Sequence, residues 1–151
     1  MAQWTDEEIA AFKNAQTLQN RPYNDDQSSF AEDNPVWEVV VDKQVFIRGA
    51  KGIKDTKWYQ AGTKNGGQVE INGRKFKVEY QPVNNADFIQ DITDAFNNKY
   101  HAQYPIDLMV SDPVAKATIA IVKKEKNEEE KFICFINDQH PFNFGRVLNP
   151  R

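Results

Sequence analysis

The residues best suited to bind a ligand lie in one short basic segment, residues 48–57. It reads RGAKGIKDTK and holds four basic residues against one acid, a local charge of +3 in a chain of net charge −3. Arg48 offers a planar fork of donors that fits phosphate oxygens, and Lys51 adds a second cation. Gly49 lets the backbone approach a ligand closely and expose its N–H groups, as anion-binding turns require. The segment predicts a phosphate site, and the structural alternative is a basic hairpin loop.

Two aromatic residues, Trp58 and Tyr59, follow this segment directly. An aromatic ring beside a phosphate site can stack on a heterocycle, whereas the structural alternative places Trp58 in the core. A contact with the phosphate of a nucleotide or RNA is a further hypothesis. The net negative charge and the pI near 5.4 disfavour a general nucleic-acid or anionic-membrane binder.

The remaining chemistry-bearing residues form no recognisable catalytic or metal-binding set. His101 and His140 are far apart in the sequence, and a zinc site needs three or four ligands. Cys134 is the one cysteine, which excludes an intrachain disulfide, and its apolar neighbours predict a buried, inert thiol. Ser28 and Ser29 lack the neighbouring histidine or glycine elbow that activates a nucleophile. We therefore predict no catalytic side chain and no metal.

Length and composition indicate one globular domain. The chain has 151 residues, of which 40% are hydrophobic and 12% aromatic, unlike a disordered chain. No stretch approaches the roughly 20 apolar residues that span a bilayer. The N-terminus is acidic and lacks the apolar run of a signal peptide. We expect a soluble cytoplasmic protein without membrane contact.

Three helical segments are predicted. Residues 5–16 begin at a capping box formed by Thr5 and Glu8. Residues 85–100 are capped by Asn84 or Asn85 and carry an apolar stripe at helical spacing. Residues 106–115 hold a shorter helical pattern. These segments would flank the sheet.

The strand predictions give an antiparallel sheet. Residues 19–35 read as a polar loop and residues 123–131 as a solvated hairpin loop. Asn72-Gly73 predicts a type I′ turn in the clearest hairpin. The strands are predicted at residues 36–41, 44–48, 57–61, 68–71, 74–80, 117–122 and 132–136. The predicted fold is a single α+β domain over residues 1–151, with six or seven antiparallel strands curled into a small barrel and helices beside it.

Segments spread over roughly residues 4–122 resemble the bacterial family known as domain of unknown function 2255. That family is grouped with the FMN-binding split barrels related to pyridoxamine 5′-phosphate oxidases. Residues 123–151 extend past the resemblance as an extra strand and a tail. The matching segments are Trp4-Thr5-Asp6-Glu7-Glu8, Trp37-Glu38-Val39-Val40, Val45-Phe46-Ile47-Arg48-Gly49, Gly52, Trp58-Tyr59, Gly67-Gln68-Val69, Phe76-Lys77-Val78, Lys99-Tyr100, Met109-Val110 and Ala117-Thr118.

The resemblance implies a homodimeric split β-barrel with FMN or a deazaflavin at the subunit interface, acting on an unknown small-molecule substrate. It implies that Arg48 and Lys51 neutralise the cofactor phosphate. It also implies that Trp58 or Tyr59 lines the ring, while Lys99 matches a lysine near the end of the long helix.

One position departs from the family pattern. The family commonly carries arginine after the Trp-Tyr pair, whereas this chain has Gln60. This departure favours the alternative hypothesis, a non-enzymatic binding or interaction module that kept the barrel and lost the cofactor.

Overall fold

The computed structural model describes residues 3–124. This part of the chain folds into short helices around one antiparallel sheet, which confirms the predicted α+β class. The elements in chain order are α1 (Asp6–Asn14), β1 (Leu18–Pro22), β2 (Asn34–Val36), β3 (Val39–Val41), β4 (Gln44–Arg48), α2 (Gly52–Asp55), α3 (Lys57–Asn65), β5 (Gly67–Ile71), β6 (Arg74–Pro82), α4 (Ala86–Lys99), α5 (Ile106–Met109), α6 (Asp112–Ala115) and β7 (Thr118–Lys123).

The predicted helix starts are confirmed. The Thr5 hydroxyl accepts a hydrogen bond from the Glu8 amide at 3.1 Å, and the Glu8 carboxylate accepts one from the Thr5 amide at 2.9 Å. This reciprocal pair satisfies two backbone donors that would otherwise lack partners. At α4 the Asn85 side chain accepts from the Phe88 amide at 2.9 Å. Both caps fix where their helices begin.

The sheet has the strand order β2-β1-β5-β6-β7-β4-β3, and every neighbouring pair is antiparallel. The β5–β6 hairpin turns at Asn72 and Gly73, whose φ angles of 51° and 80° match the predicted turn. Asp42 and Lys43 turn between β3 and β4 with φ angles of 52° and 62°. These two hairpins were predicted correctly.

The two edges of the sheet, β2 and β3, are separated by Trp37 and Glu38 only. Since consecutive Cα atoms are about 3.8 Å apart, Val36 and Val39 lie within about 11 Å of each other. The sheet is therefore curled into a half-barrel whose edges approach at residues 37–38, which we call the seam. The prediction of one strand over residues 36–41 was wrong, because the chain changes edges at the seam.

The sheet is covered on both faces. One cluster holds α1 and α3 residues with alternate residues of β4 and β7, and Val36 and Val40 of the opposite edges both pack against it. It therefore lies on the inner face of the curl. The second cluster packs α4 and the short helices against Val39, Phe46 and Ala120 on the outer face. This alternation follows from the two-residue period of a strand.

Two further predictions of secondary structure were wrong. Residues 57–61 form the start of helix α3 and not a strand, because Trp58, Tyr59 and Gly62 share one buried helical face and Gly66 ends the helix at φ 72°. The predicted loop over residues 19–35 contains β1 and β2 at its ends. The sequence of β1 does not alternate between apolar and polar residues, because the residue buried at its centre is the polar Asn20.

Some predictions fall on residues outside 3–124. They are most of the 123–131 loop, the strand at 132–136, and the positions of Cys134 and His140.

Candidate functional site

Arg48 ends strand β4 and lies inside the protein. Its side chain projects to the same side of the strand as Phe46, because residues two apart share a face. Its Nε donates to the Thr118 hydroxyl at 2.9 Å, and Nη1 donates to the Met109 carbonyl at 3.1 Å. The last nitrogen, Nη2, donates to the Ile89 carbonyl at 3.0 Å and to the Thr93 hydroxyl at 2.8 Å. The guanidinium thus joins β4 to β7, α4 and α5.

The charge of Arg48 has no acidic partner within residues 3–124. It lies 5.0 Å from the centre of the Phe96 ring, where the ring face attracts a cation. Burial lowers the pKa of Arg48 to about 10, so the residue is charged at neutral pH. With 2% of its surface exposed, Arg48 is buried between β4 and α4 and does not lie on the surface of the protein.

Gly49 turns the chain from β4 into the helical corner that carries the lysines. A Cβ at Gly49 would lie 2.7 Å from the Thr56 hydroxyl, so a larger residue would displace Thr56. That hydroxyl accepts a hydrogen bond from the Lys51 amide at 3.1 Å. The corner is held in place by this contact and by the Gly52 amide donating to the Gly49 carbonyl at 2.9 Å.

Three lysines of the corner, Lys51, Lys54 and Lys57, are exposed. None of them forms an ion pair with another residue of the described part. We call residues 51–57 the lysine corner. Of the six residues predicted to bind the cofactor, Lys51 is the one that this corner presents to solvent.

Trp58 and Tyr59 point into the inner core, where 6% and 7% of their surfaces are exposed. The ring centres of Trp58 and Tyr80 lie 6.1 Å apart. The aromatic pair is therefore part of the inner core. Gln60, at the position of the family's arginine, donates from its side chain to the Ile53 carbonyl at 2.7 Å.

Lys99 lies apart from the corner, at the seam. Its Nζ donates to the Glu38 carboxylate at 2.9 Å, to the Glu38 carbonyl at 3.0 Å and to the Phe12 carbonyl at 3.0 Å. The prediction grouped Lys99 with Arg48 and Lys51, whereas its hydrogen bonds are to α1 and the residue before β3. Its predicted contact with the cofactor stays a prediction.

Tyr100 completes the group at the seam. Its hydroxyl donates to the Gln16 carbonyl at 2.8 Å and accepts from the Glu38 amide at 2.9 Å. The ring of Trp37 stacks on that of Tyr100, with centres 4.0 Å apart and planes within 5°. We call Glu38, Lys99 and Tyr100 the seam cluster.

Sequence reasoning did not single out Glu38. Its carboxyl is fully buried, and one of its oxygens, Oε1, has no hydrogen-bond partner among residues 3–124. Burial raises the pKa of Glu38 to about 7, and the charge and hydrogen bond of Lys99 offset only part of that effect. The sequence feature that could have identified Glu38 is an acidic residue within an apolar run. It lies where the predicted strand over residues 36–41 is interrupted.

Other kinds of site are not found within residues 3–124. No group of three or more His, Cys, Asp or Glu side chains there could hold a metal ion. His101 is exposed and borders an open groove of about 700 Å³ that includes Tyr104 and Leu108. In the described part, every helix is too short or too polar to cross a membrane.

Comparison with solved structures supports the fold. The chain is similar to the protein in the crystal structure of conserved hypothetical protein Rv2991 from Mycobacterium tuberculosis, with a TM-score of 0.59 and 16% sequence identity. The alignment covers 83% of this chain and 87% of that chain. At this identity the likeness shows the fold alone.

Comparison of sequences places the chain in a family. No curated protein matches it. Residues 8–121 match the family described as uncharacterized protein conserved in bacteria, DUF2255. This match includes the lysine corner, the seam cluster, strands β1 to β6 and the first four residues of β7. The chain therefore belongs to the DUF2255 family of conserved bacterial proteins.

Proposed function

We propose that this protein is a cytoplasmic, homodimeric split-barrel protein that binds FMN or a deazaflavin and uses it in a redox reaction on a small substrate. The observation that carries the proposal is the lysine corner. Lys51, Lys54 and Lys57 are exposed on one short segment and have no acidic partner among the described residues. A cofactor phosphate is the kind of anion that such a group attracts.

The buried residues on either side of the corner in the sequence fit a supporting role. Arg48 donates its hydrogen bonds to protein oxygens, and Trp58 and Tyr59 are buried in the core. In this proposal the three residues hold the corner rigid while the lysines meet the phosphate. The bound flavin would supply the redox chemistry, and the protein would supply binding and orientation.

The second candidate is a binding or interaction module without a cofactor. The arrangement of Arg48 favours it, since the guanidinium already bonds to Thr118, Met109, Ile89 and Thr93. Gln60 also favours it, because its side chain bonds to the corner itself and removes one candidate phosphate ligand.

The test is the visible absorbance of the purified protein after incubation with excess FMN, and separately with a deazaflavin, followed by desalting. The test variant replaces Lys51, Lys54 and Lys57 with alanine. The matched control replaces Lys13, Lys75 and Lys77 with alanine. These lysines are also exposed, and replacing them removes the same charge. Cofactor retained by the wild type and the control, and lost by the test variant, supports the proposal.

Two results would contradict it. Retention by all three proteins would show that the lysine corner does not hold the phosphate. Retention of neither cofactor by a folded wild-type protein would favour the module without a cofactor. Circular dichroism of each variant establishes that the loss of binding is not a loss of fold.

A further inference from the structure

The seam cluster closes the half-barrel where the sheet formed by residues 3–124 has no strand pairing. Strands β2 and β3 form its two edges, and residues 37–38 connect them. Glu38 is thus located where edge backbone groups lack sheet partners within that part of the chain. Tyr100 accepts from the Glu38 amide at 2.9 Å, and Lys99 donates to the Glu38 carbonyl at 3.0 Å. Side chains of α4 therefore replace the missing strand at this position.

The same side chains hold the end of α1 against the seam. Lys99 donates to the Phe12 carbonyl at 3.0 Å, and Tyr100 donates to the Gln16 carbonyl at 2.8 Å. Because the ammonium of Lys99 makes three hydrogen bonds, one group joins α1, α4 and the start of β3. Its side chain keeps 19% of its surface exposed, so Lys99 has a route to solvent.

The Glu38 carboxylate is the counter-charge that keeps Lys99 at the seam. Its Oε2 accepts from Lys99 at 2.9 Å, while the buried Oε1 has no partner within the described part. A buried carboxylate satisfied on one oxygen is poorly solvated in its charged form. Its protonation therefore costs less free energy than that of an exposed glutamate.

Among residues 3–124, Lys99 is the one charged group that faces Glu38. Helix α4 contributes Lys99 and the titratable hydroxyl of Tyr100, and the pKa of that hydroxyl is raised mainly by burial. Helix α1 and the turn after it contribute the carbonyls of Phe12 and Gln16. Strand β4 contributes the apolar Phe46 beside Val39.

We propose that the seam cluster is a proton-operated clamp that controls how tightly the end of α1 is held to the barrel. With Glu38 ionised, the ion pair keeps Lys99 on the Phe12 carbonyl. When Glu38 takes up a proton, the partly buried ammonium loses its counter-ion and turns toward solvent, which frees the last turn of α1. The clamp is independent of the proposed cofactor.

The first measurement is a carbon-13 NMR titration of the glutamate side chains. Burial raises the pKa of Glu38 to about 7, so its carboxyl should titrate near neutral pH. If Glu38 titrates near its ordinary pKa of 4.5, the proposal is wrong.

The second measurement is amide hydrogen exchange at Ala15, corrected for the intrinsic effect of pH. The Ala15 amide donates to the carbonyls of Ala11 and Phe12 in the last turn of α1. From about pH 8 to about pH 5.5 we expect this amide to exchange about tenfold faster, the change that a difference of one pKa unit between the closed and the released clamp would give. Amides of the β5–β6 hairpin should not change.

Three variants distinguish release of the clamp from a change in the stability of the whole fold. Glu38→Gln is neutral at every pH and should exchange rapidly at both values, and Lys99→Met should do the same. Glu7→Gln, the matched control, should behave as the wild type. Equal protection at the two pH values in a wild type whose Glu38 titrates, or a pH response that persists in Glu38→Gln, would overturn the proposal.

Discussion

Arg48 Nε lies 2.9 Å from the hydroxyl oxygen of Thr118, a residue 70 positions later in the chain. Thr118 in turn donates to the Ala115 carbonyl at 2.6 Å. The guanidinium therefore connects the end of β4 to the first residue of β7 and, through Thr118, to the last residue of α6. This contact gives Arg48 a structural role that can be separated from any role in binding.

We predict that Arg48→Lys destabilises the protein although it keeps the charge. A lysine has one nitrogen in place of three and cannot reach Thr118, Met109 and Ile89 at once. The lost hydrogen bonds and the unpaired buried carbonyls should lower the free energy of unfolding by about 2–4 kcal/mol. Urea denaturation measures this change, and a loss below about 0.5 kcal/mol, the range of ordinary surface substitutions, would contradict the structural role.

Against global unfolding, which exposes its carboxyl, Glu38 is predicted to make the protein less stable as the pH rises. Release of Lys99 alone has the opposite dependence, because the carboxyl stays buried and loses a group that lowers its pKa. The pKa of Glu38 is raised from 4.5 in the unfolded chain to about 7 in the folded protein. Its contribution is therefore fully present below pH 4.5 and is lost as the pH rises through about 7. The shift corresponds to about 3 kcal/mol between these limits. Urea denaturation of Glu38→Gln over this range should show a smaller decline than the wild type, and equal slopes would contradict the prediction.

Glu8 is predicted to have the opposite pH dependence. Burial alone would raise its pKa, but hydrogen bonds from Lys123 and the Thr5 amide and the charges of Lys123 and Arg74 outweigh it, so the pKa is lowered. Its stabilisation is present above pH 4.5 and is lost as the pH falls through the folded-state value. Glu8→Gln should cost about 1.5–3 kcal/mol at neutral pH, the range for hydrogen bonds to charged groups.

Acid denaturation of the wild type and Glu8→Gln checks this prediction. The two proteins should approach the same stability in acid, where Glu8 carries a proton in both the folded and the unfolded chain. A constant difference at every pH would show that the contribution of Glu8 is not electrostatic.

We predict that Gly62→Ala is destabilising although alanine favours helices. Gly62 lies on α3 against Tyr80 of β6, and an added Cβ would come within 2.5 Å of the Tyr80 ring. Overpacking costs about 1–3 kcal/mol, more than the ~1 kcal/mol gained in helix propensity. Thermal denaturation measures the balance.

Gly73→Ala is the comparison for Gly62→Ala. A Cβ at Gly73 would meet nothing within 4 Å, so the φ of 80° is the source of strain at that position. It should cost about 1 kcal/mol, the usual penalty for a left-handed residue with a Cβ. A stabilised Gly62→Ala protein would mean that α3 can move away from β6.

The amino-acid sequence by itself determined the local features of this protein. The cap at Thr5, the turn at Asn72-Gly73 and the alternation in β6 depend on neighbouring residues, so they could be predicted with their boundaries nearly correct. The α+β class and the curled antiparallel sheet followed from these features. Membership of the DUF2255 family, expected from matching segments, is confirmed.

The tertiary structure decided where the candidate site residues point. The basic neighbours of Arg48 predict a surface residue that binds a ligand. Its position two residues after Phe46 puts it instead on the buried outer face of β4, against α4. Residues 57–61 read as a strand because of their aromatic pair, but packing of Gly62 on Tyr80 favours a helix. Glu38 and Lys99 meet across 61 positions because the curl of the sheet brings its edges together beside α4. Contacts at that separation depend on how whole elements pack, which the residue pattern within any one element does not encode.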